Sequence, residues 1–334
     1  MRIATYNVEW FTDLFDTTGA LLNDRELGGR RGVTRADQIA ALVTVFRALD
    51  ADAILVVEAP DEDRRRSTVR ALETFAGYAG LRARRAIIGY ANHTKQELAL
   101  LYDPDRLSAV HDPVTLGAPG FDASFEADIL PGFDERAVRF SKPPLELALE
   151  TAGGQLLRLI GVHLKSKAPH GARSDREILE LAVSNRLKQL TQATWLRARI
   201  AAHLAAGEAL IVAGDLNDGP GLDEFETLFG KSSVEIVLGA GTEHPLIEPN
   251  AQAALSQPQG ARASTARFYI ARKQAYLQAL LDYVMLSPDL AARDARWRIW
   301  HPYEDETCWT TPDLRAALLL ASDHFPVSVD LAIA

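Results

Sequence analysis

The sequence predicts an α/β (α+β) protein: two mixed β-sheets packed together, with helices on the outside. Three observations carry this. Strand-like apolar runs and amphipathic helical stretches are interspersed from one end of the chain to the other. The runs "DAILVVEAP" and "ALIVAGD" are nearly continuous apolar stretches, the mark of strands covered on both faces. No Pro/Ser-rich linker interrupts the 334 residues, so residues 1–334 are expected to form a single domain.

Taken in order, "RIATYNV" alternates and is β-rich, which predicts a strand ending near Asn7. Residues 12–33 hold Gly28, Gly29 and Gly32 among mixed charges and read as a loop. Thr34 then suits the N-cap of "RADQIAALVTVFRAL", whose apolar residues recur at helical spacing. "DAILVVEAP" predicts a buried strand ending at Glu58, and a second helix is expected over Arg65–Ala76, with "DRRRS" as its solvated start. The middle reads as antiparallel strands: "RARRAIIGY", "ELALLYD", "AVRF", "LELALE" and "LLRLIGVHL", the last two joined by a turn at Gly153-Gly154. Ser174–Leu204 is a long amphipathic helix carrying Ile178, Leu181, Leu187, Leu190 and Leu196. The strand "ALIVAGD", a helix around Leu222–Leu228 and an irregular segment from Gly239 to Ala266 follow. "LLDYVMLS" and "PVSVDLAI" close the chain as strands.

Composition narrows the function. Hydrophobic content of 47% and charged content of 24% belong to an ordinary globular protein. A net charge of −9 argues against a protein that coats nucleic acid, yet a basic or metal-filled cleft can sit on an acidic body. The single cysteine, Cys308, excludes an intramolecular disulfide framework. No apolar run approaches the ~20 residues of a membrane span, so no transmembrane segment is expected. "MRIATYNVEWF" has no signal-peptide apolar region, which makes a cytoplasmic location the default expectation. No Gly-rich phosphate loop follows a strand, and no pattern specifies the oligomeric state.

One event recurs six times: an apolar strand meets a metal-competent or acid/base residue. Asn7 follows "IATY", Glu58 follows "ILVV" and His163 follows "RLIGV". Asp215 and Asn217 follow "LIVAG", Asp282 heads "YVML", and Ser322, Asp323 and His324 precede "FPVSVDL". Singly, each has a plainer explanation as a turn, a cap, a core histidine or, for Glu58, part of a solvated acidic loop. Jointly they suit phosphate-ester hydrolysis with a hard divalent ion. Mg²⁺ takes oxygen ligands and keeps several waters, a description that Glu58, Asp323 and Asn7 fit. His163 and His324 are candidate proton acceptors or transition-state donors. Asp215 and Asn217, two apart, face the same side of an extended chain, where one could orient a water and the other bind a phosphate oxygen.

"TYNVEWF", "VVEAPD", "GVHLKSK", "VAGDLND", "LDYVMLS" and "SDHFPV" resemble, in order, the motifs of the endonuclease/exonuclease/phosphatase superfamily. The resemblance runs from residue 2 to residue 329 and implies the deoxyribonuclease I-like four-layer sandwich. It also implies Mg²⁺ or Mn²⁺ as cofactor, with Asn7 and Glu58 at the metal and Asp323 at or near it. His163 would contact phosphate, the residue that separates the deoxyribonuclease, sphingomyelinase and inositol-phosphatase branches from the tyrosine-bearing abasic-site nucleases. Asp215 would position or deprotonate the nucleophilic water, Asn217 would bind a phosphate oxygen, and Asp282 would orient His324 at the scissile phosphate. One departure stands out: many relatives carry Gln before the metal Glu, where this chain has Val57.

"HLKSK" places Lys165 and Lys167 on the side of a strand that carries His163, suited to flanking phosphates. This form resembles bacterial nuclease members of the family. Arg139 in "AVRFSKPPL" resembles the family's arginine strand, where it reaches phosphate or pairs with a core acid. "RASTARFYIARK" interleaves Arg262, Arg267, Arg272 and Lys273 with Phe268 and Tyr269, either to hold a nucleic-acid strand or simply as an amphipathic strand and loop. The expectation is a Mg²⁺-dependent nuclease cutting phosphodiesters by in-line attack of an activated water, with nucleic acid as substrate. The alternative is a phosphatase or lipid phosphodiesterase of sphingomyelinase or inositol-phosphate type.

Overall fold

The computed structural model describes residues 1–127, 129, 137–169, 171–221, 228–257, 260, 262–270 and 274–333. The helix expected around Leu222–Leu228 lies, apart from Leu228, outside the described residues, as do Arg272 and Lys273.

Strands β1 (Arg2–Asn7), β2 (Ala53–Ala59), β3 (Arg85–Ile88) and β4 (Glu97–Tyr102) belong to a first sheet. The second sheet takes β5 (Leu107–His111), β6 (Leu145–Thr151), β7 (Leu156–His163) and β8 (Leu210–Asp215). A separate ribbon of β9 (Ala266–Ile270) and β10 (Ala275–Ala279) follows. Then β11 (Asp282–Leu286) joins the second sheet, and β12 (Arg296–Ile299) and β13 (Val327–Asp330) join the first. The first sheet runs β12-β13-β1-β2-β4-β3 and the second β11-β8-β7-β6-β5. Each contains one parallel pair, β1 with β2 and β7 with β8, so the C-terminal ends of these four strands open in pairs.

Burial explains the layers. Ile3, Leu55, Val57, Leu100, Leu147, Leu159, Ile211 and Val329 come from both sheets and pack between them. The other face of the first sheet packs on helices α1 (Arg35–Leu49) and α2 (Thr68–Ala79) through Leu42, Phe46, Leu72 and Phe75. The other face of the second packs on helix α3 (Asp175–Ala205) through Trp195, Leu196 and Ile200. Helix, sheet, sheet, helix is the four-layer sandwich. Gly161 marks how closely the sheets approach, because a Cβ there would lie 2.5 Å from Leu55 Cδ1. Val57 points into this layer, which is why an apolar residue precedes Glu58.

Local chemistry moved several boundaries. The second helix starts at Thr68, not Arg65: the Asp63 carboxylate accepts the Arg65 and Arg66 N–H groups in a turn, and Ser67 caps the helix by accepting from Arg70 N. The strand expected over "RARRAIIGY" keeps only Arg85–Ile88, since Arg82 and Arg84 turn aside to pair with Asp50, Asp52, Asp103 and Asp105. "AVRF" forms no strand; Val138 alone bridges Phe125. The segment expected to be irregular contains a helix, Pro249–Ser256, capped by the Glu248 side chain accepting from Ala251 N. Strands β5 and β12 and the helix Pro312–Ala321, which packs on α1, were also unexpected. Among the described residues no helix is long and apolar enough to cross a membrane.

Candidate active site

Strand register builds the centre of the site. His163, Asp215 and Asp282 are paired neighbours on β7, β8 and β11, so their side chains stand in a row on one face. Gly214 permits this row: its φ of 132° and a Cβ position 2.0 Å from the Val162 carbonyl oxygen exclude any side chain before Asp215. The first sheet contributes Asn7 at the end of β1 and Glu58 at a bulge, where the β2–β4 register shifts between Val57 and Ala59. Glu58 has φ 59°, left-handed for a non-glycine residue, and this backbone turns its side chain away from the core.

Asp215 is the hub. Its carboxylate accepts Asn7 Nδ2 at 3.1 Å, the Asn217 N–H at 2.7 Å and Asn217 Nδ2 at 3.2 Å. His163 Nε2 stands 3.7 Å away. Burial first, then the negative charge of Asp282, push the Asp215 carboxyl up to about 7, against its hydrogen-bond donors. Asp215 and Asn217 do meet, but through an Asx turn with Asn217 in the left-handed region at φ 51°, not through strand periodicity. Both Asn217 amide hydrogens are engaged, the second with the Leu164 carbonyl at 3.1 Å.

Beside the hub, His324 Nδ1 lies 2.7 Å from Asp282 Oδ2, and Thr265 Oγ1 donates to the same oxygen at 2.8 Å. Ser322 Oγ donates to the Asn7 carbonyl and accepts from His324 N, tying the "SDHF" segment to β1. Burial pulls the His324 imidazole down in pKa. Asp282, through its charge and hydrogen bond, with Asp215 and Asp323, overrides this and holds it well above the ordinary value. His163 goes the other way: burial first, then the positive charges of Lys142, His324 and Lys165, hold it well below. The two histidines are thus shifted in opposite directions.

Lys142 is the residue the sequence did not reveal. Its ammonium lies 3.1 Å from His163 Nδ1 and 3.3 Å from Nε2, and burial depresses its pKa while Glu58 and Asp215 raise it. Glu9 was missed too: it pairs with Arg30 and accepts the Asp323 N–H at 3.1 Å. Burial and then Asp323 raise the Glu9 carboxyl to about 7.

A family model described as Endonuclease/Exonuclease/phosphatase family matches residues 4–324. The chain belongs to that family. It is an endonuclease/exonuclease/phosphatase family phosphoesterase, with the deoxyribonuclease I-like fold. No curated protein matches the sequence significantly. Among solved structures it resembles a family protein from Bacteroides thetaiotaomicron at 14% identity, covering 98% of this chain and 93% of that one, TM-score 0.51. An AP endonuclease from Archaeoglobus fulgidus aligns at 13% identity over 100% of both chains, TM-score 0.50. TDP2 from Caenorhabditis elegans aligns at 15% identity over 98% of this chain and 74% of that one, TM-score 0.50. At these identities the likeness establishes the fold.

The family motifs differ in what they bring to the centre. Asp215, Asp282 and His324 have ligand atoms within 4.8 Å of one another; Glu58 and Asp323 stand outside that group of three, with Asp323 Oδ1 3.9 Å from His324 Nε2. Glu58 accepts the Trp10 N–H at 3.2 Å, has no ion-pair partner within 4.0 Å among the described residues, and is raised in pKa chiefly by burial. Lys165 is half-buried beyond the end of β7, and its charge acts on His163. Lys167, expected beside it at phosphate, instead donates to Asp218 at 2.6 Å. Arg139 is exposed, on a segment that is not a strand, and Lys142 occupies the place near His163.

Asp218, just before the Gly219-Pro220 dipeptide, is fully buried. It binds Arg186 Nη1 at 2.6 Å and accepts the Ser233 N–H at 2.7 Å, while Gln189 next to Arg186 holds the Leu216 and Asn217 carbonyls. Burial alone would raise its carboxyl; Lys167 and Arg186 hold it below the usual range. Asp218→Ala is expected to cost about 3 kcal/mol of stability, because a buried guanidinium is left uncompensated. Urea unfolding measures it, and a loss under about 1 kcal/mol would contradict this role for Asp218.

Proposed function

We propose that residues 1–334 form one catalytic unit, a divalent-metal-dependent nuclease that hydrolyses phosphodiester bonds by in-line attack of water. The observation that carries this is the cluster itself: Asp215, Asp282 and His324 hold their ligand atoms within 4.8 Å of one another, Lys142 stands 3.1 Å from His163 beside them, and burial raises the Asp215 carboxyl to about 7 while its acidic neighbours raise His324. Asp215 takes the proton from the attacking water as its oxygen bonds to phosphorus; the ester P–O bond on the opposite side breaks, and the departing oxygen is protonated from solvent. His324 and Lys142 meet the charge that develops on the phosphoryl oxygens, and neutral His163 donates to one of them. Asp282 holds the His324 ring. Asn217 binds a phosphate oxygen by exchanging its bond to Leu164 O or Asp215.

Glu58, Asn7 and Asp323 fit a hard divalent cation: oxygen donors, with Glu58 a half-buried carboxylate that makes no ion pair within 4.0 Å among the described residues. Asp215, Asp282 and His324, with ligand atoms within 4.8 Å of one another, form a second group that could hold a cation. When bound, Mg²⁺ or Mn²⁺ would polarise the phosphoryl group and neutralise its charge. Lys165, also near His163, supplies positive charge for a flanking phosphate.

The test presents labelled single-stranded DNA, RNA, plasmid, sphingomyelin and inositol phosphates with Mg²⁺ or with excess EDTA. Shortened oligonucleotides with Mg²⁺ and none with EDTA are expected. Release of inorganic phosphate with nucleic acid intact, or turnover persisting in EDTA, would refute the reading.

A further inference from the structure

The ribbon of β9 and β10 grows directly out of the catalytic segment. Ala266 bridges His324, the Arg267 N–H donates to the Asp323 carbonyl at 2.7 Å, and the Phe325 N–H donates to the Thr265 carbonyl at 2.6 Å. Thr265, at its root, also holds Asp282. Alternation splits the ribbon into two faces. Ala266, Phe268, Leu277 and Ala279 form the apolar face, where Phe268 packs on Ala266, Ala279 and Leu281. Arg267, Tyr269, Tyr276 and Gln278 share the other, and among the described residues no third strand joins the ribbon.

That second face is an aromatic and cationic surface. Tyr269 and Tyr276 are directly opposed across the two strands, 37% and 56% exposed, with ring centroids 5.3 Å apart in an edge-on arrangement. The Arg267 guanidinium lies 3.7 Å from the Tyr276 centroid. Arg31, reaching over from the loop before α1, lies 4.7 Å from that of Tyr269. Neither arginine has a carboxylate within 4.0 Å among the described residues, whereas Arg2, Arg30, Arg35, Arg82, Arg158 and Arg298 all do. The sequence from Asn250 to Leu281 contains no Asp or Glu, in a chain whose net charge is −9. Two exposed rings backed by two unpaired cations suit a polyanion that also carries flat faces. In a duplex those faces are covered by stacked neighbours; in a single strand they are free.

We infer that the Arg31–Tyr269–Tyr276–Arg267 surface stacks unpaired bases of a nucleic-acid strand whose scissile phosphate lies at His324, so that the enzyme favours single-stranded over duplex substrate. This rests on the nuclease reading and deepens it. Tyr269 stands three residues from Ala266, roughly 10 Å along the strand, which sets the stacked bases close beside the cleaved bond. The guanidiniums neutralise flanking phosphates while the rings hold bases without regard to sequence.

The test measures KM and kcat with Mg²⁺ on a single-stranded octanucleotide, on the same octamer with an abasic position near the cut, and on a blunt hairpin duplex. Tyr276→Ala is expected to raise KM on the single strand by on the order of tenfold, the worth of one base stack, with a much smaller change on the duplex. Tyr276→Phe keeps the ring and is expected to restore the KM. The abasic octamer should cost the parent enzyme a similar factor and cost Tyr276→Ala nothing further. A single-strand KM within twofold of the parent, failure of Phe to rescue, or equal losses on strand and duplex would overturn the inference while leaving the nuclease reading standing. Parent enzyme that cuts none of the three would overturn both.

Discussion

Asp215→Asn is expected to lower kcat on a phosphodiester by about a thousandfold while leaving the fold in place. The size follows from the role: removing a general base typically costs 10²–10⁴-fold, and here the base is also the hydrogen-bond hub of both sheets. An amide at this position still accepts the Asn217 N–H but opposes its own N–H to Asn7 Nδ2 or Asn217 Nδ2. That local conflict is worth about 1–3 kcal/mol, offset in part by removing a carboxyl whose burial is unfavourable. Circular dichroism and thermal unfolding should therefore report a folded protein, and steady-state hydrolysis of a dinucleotide should report almost none. A folded variant with kcat within tenfold of the parent would remove Asp215 from the chemistry.

What made Asp215 legible also explains what stayed hidden. Asn7, His163, Asp215 and Asp282 each end or begin a strand that is apolar enough to announce itself; the parallel β7–β8 and antiparallel β8–β11 pairs set three of them side by side, and Asn7 reaches Asp215 from the other sheet. A polar residue at such an end breaks a pattern, and a broken pattern can be read from one chain. Lys142 breaks nothing: it lies in "SKPPL" before β6, where polar residues are the norm, and only the fold brings it to His163. Asp218 stays hidden for the same reason: an Asp before Gly-Pro has the sequence of a turn, and only the fold puts Arg186 of α3 beneath it. Lys167, expected at phosphate, has its partner hidden in the same way. The Glu58 bulge and the left-handed Asn217 are likewise backbone events; periodicity assumes regular strands and cannot register them. The Tyr269–Tyr276 pair was half visible: "ARFYI" was noticed, but its cross-strand partner "AYLQA" is too short and too polar to stand out.

Asp282→Asn is expected to act one step removed, through His324. In the parent protein the imidazolium persists because Asp282, then Asp215 and Asp323, outweigh burial. The folded pKa is raised, so the pair's stabilisation is fully present below the unfolded value of about 6.5 and is lost as pH rises through the folded value. With Asn at 282 the burial remains and the largest opposing charge is gone, so the pKa must fall. Proton NMR of the metal-free protein should follow the His324 ring directly: protonated through neutral pH in the parent, titrating at lower pH in the variant. Thr265 and His324 Nδ1 both bond the same carboxylate oxygen, and an amide oxygen in its place can accept from both, so the ring's position is kept. A loss in kcat on the order of a hundredfold is expected, and KM should change less, because the imidazolium matters most when charge develops on the phosphoryl oxygens. If the ring titrates alike in both proteins, Asp282 is not what charges His324. If the pKa falls and kcat does not, the imidazolium is dispensable, and the charge on the phosphoryl oxygens must be met by Lys142, His163, Asn217 and the metal.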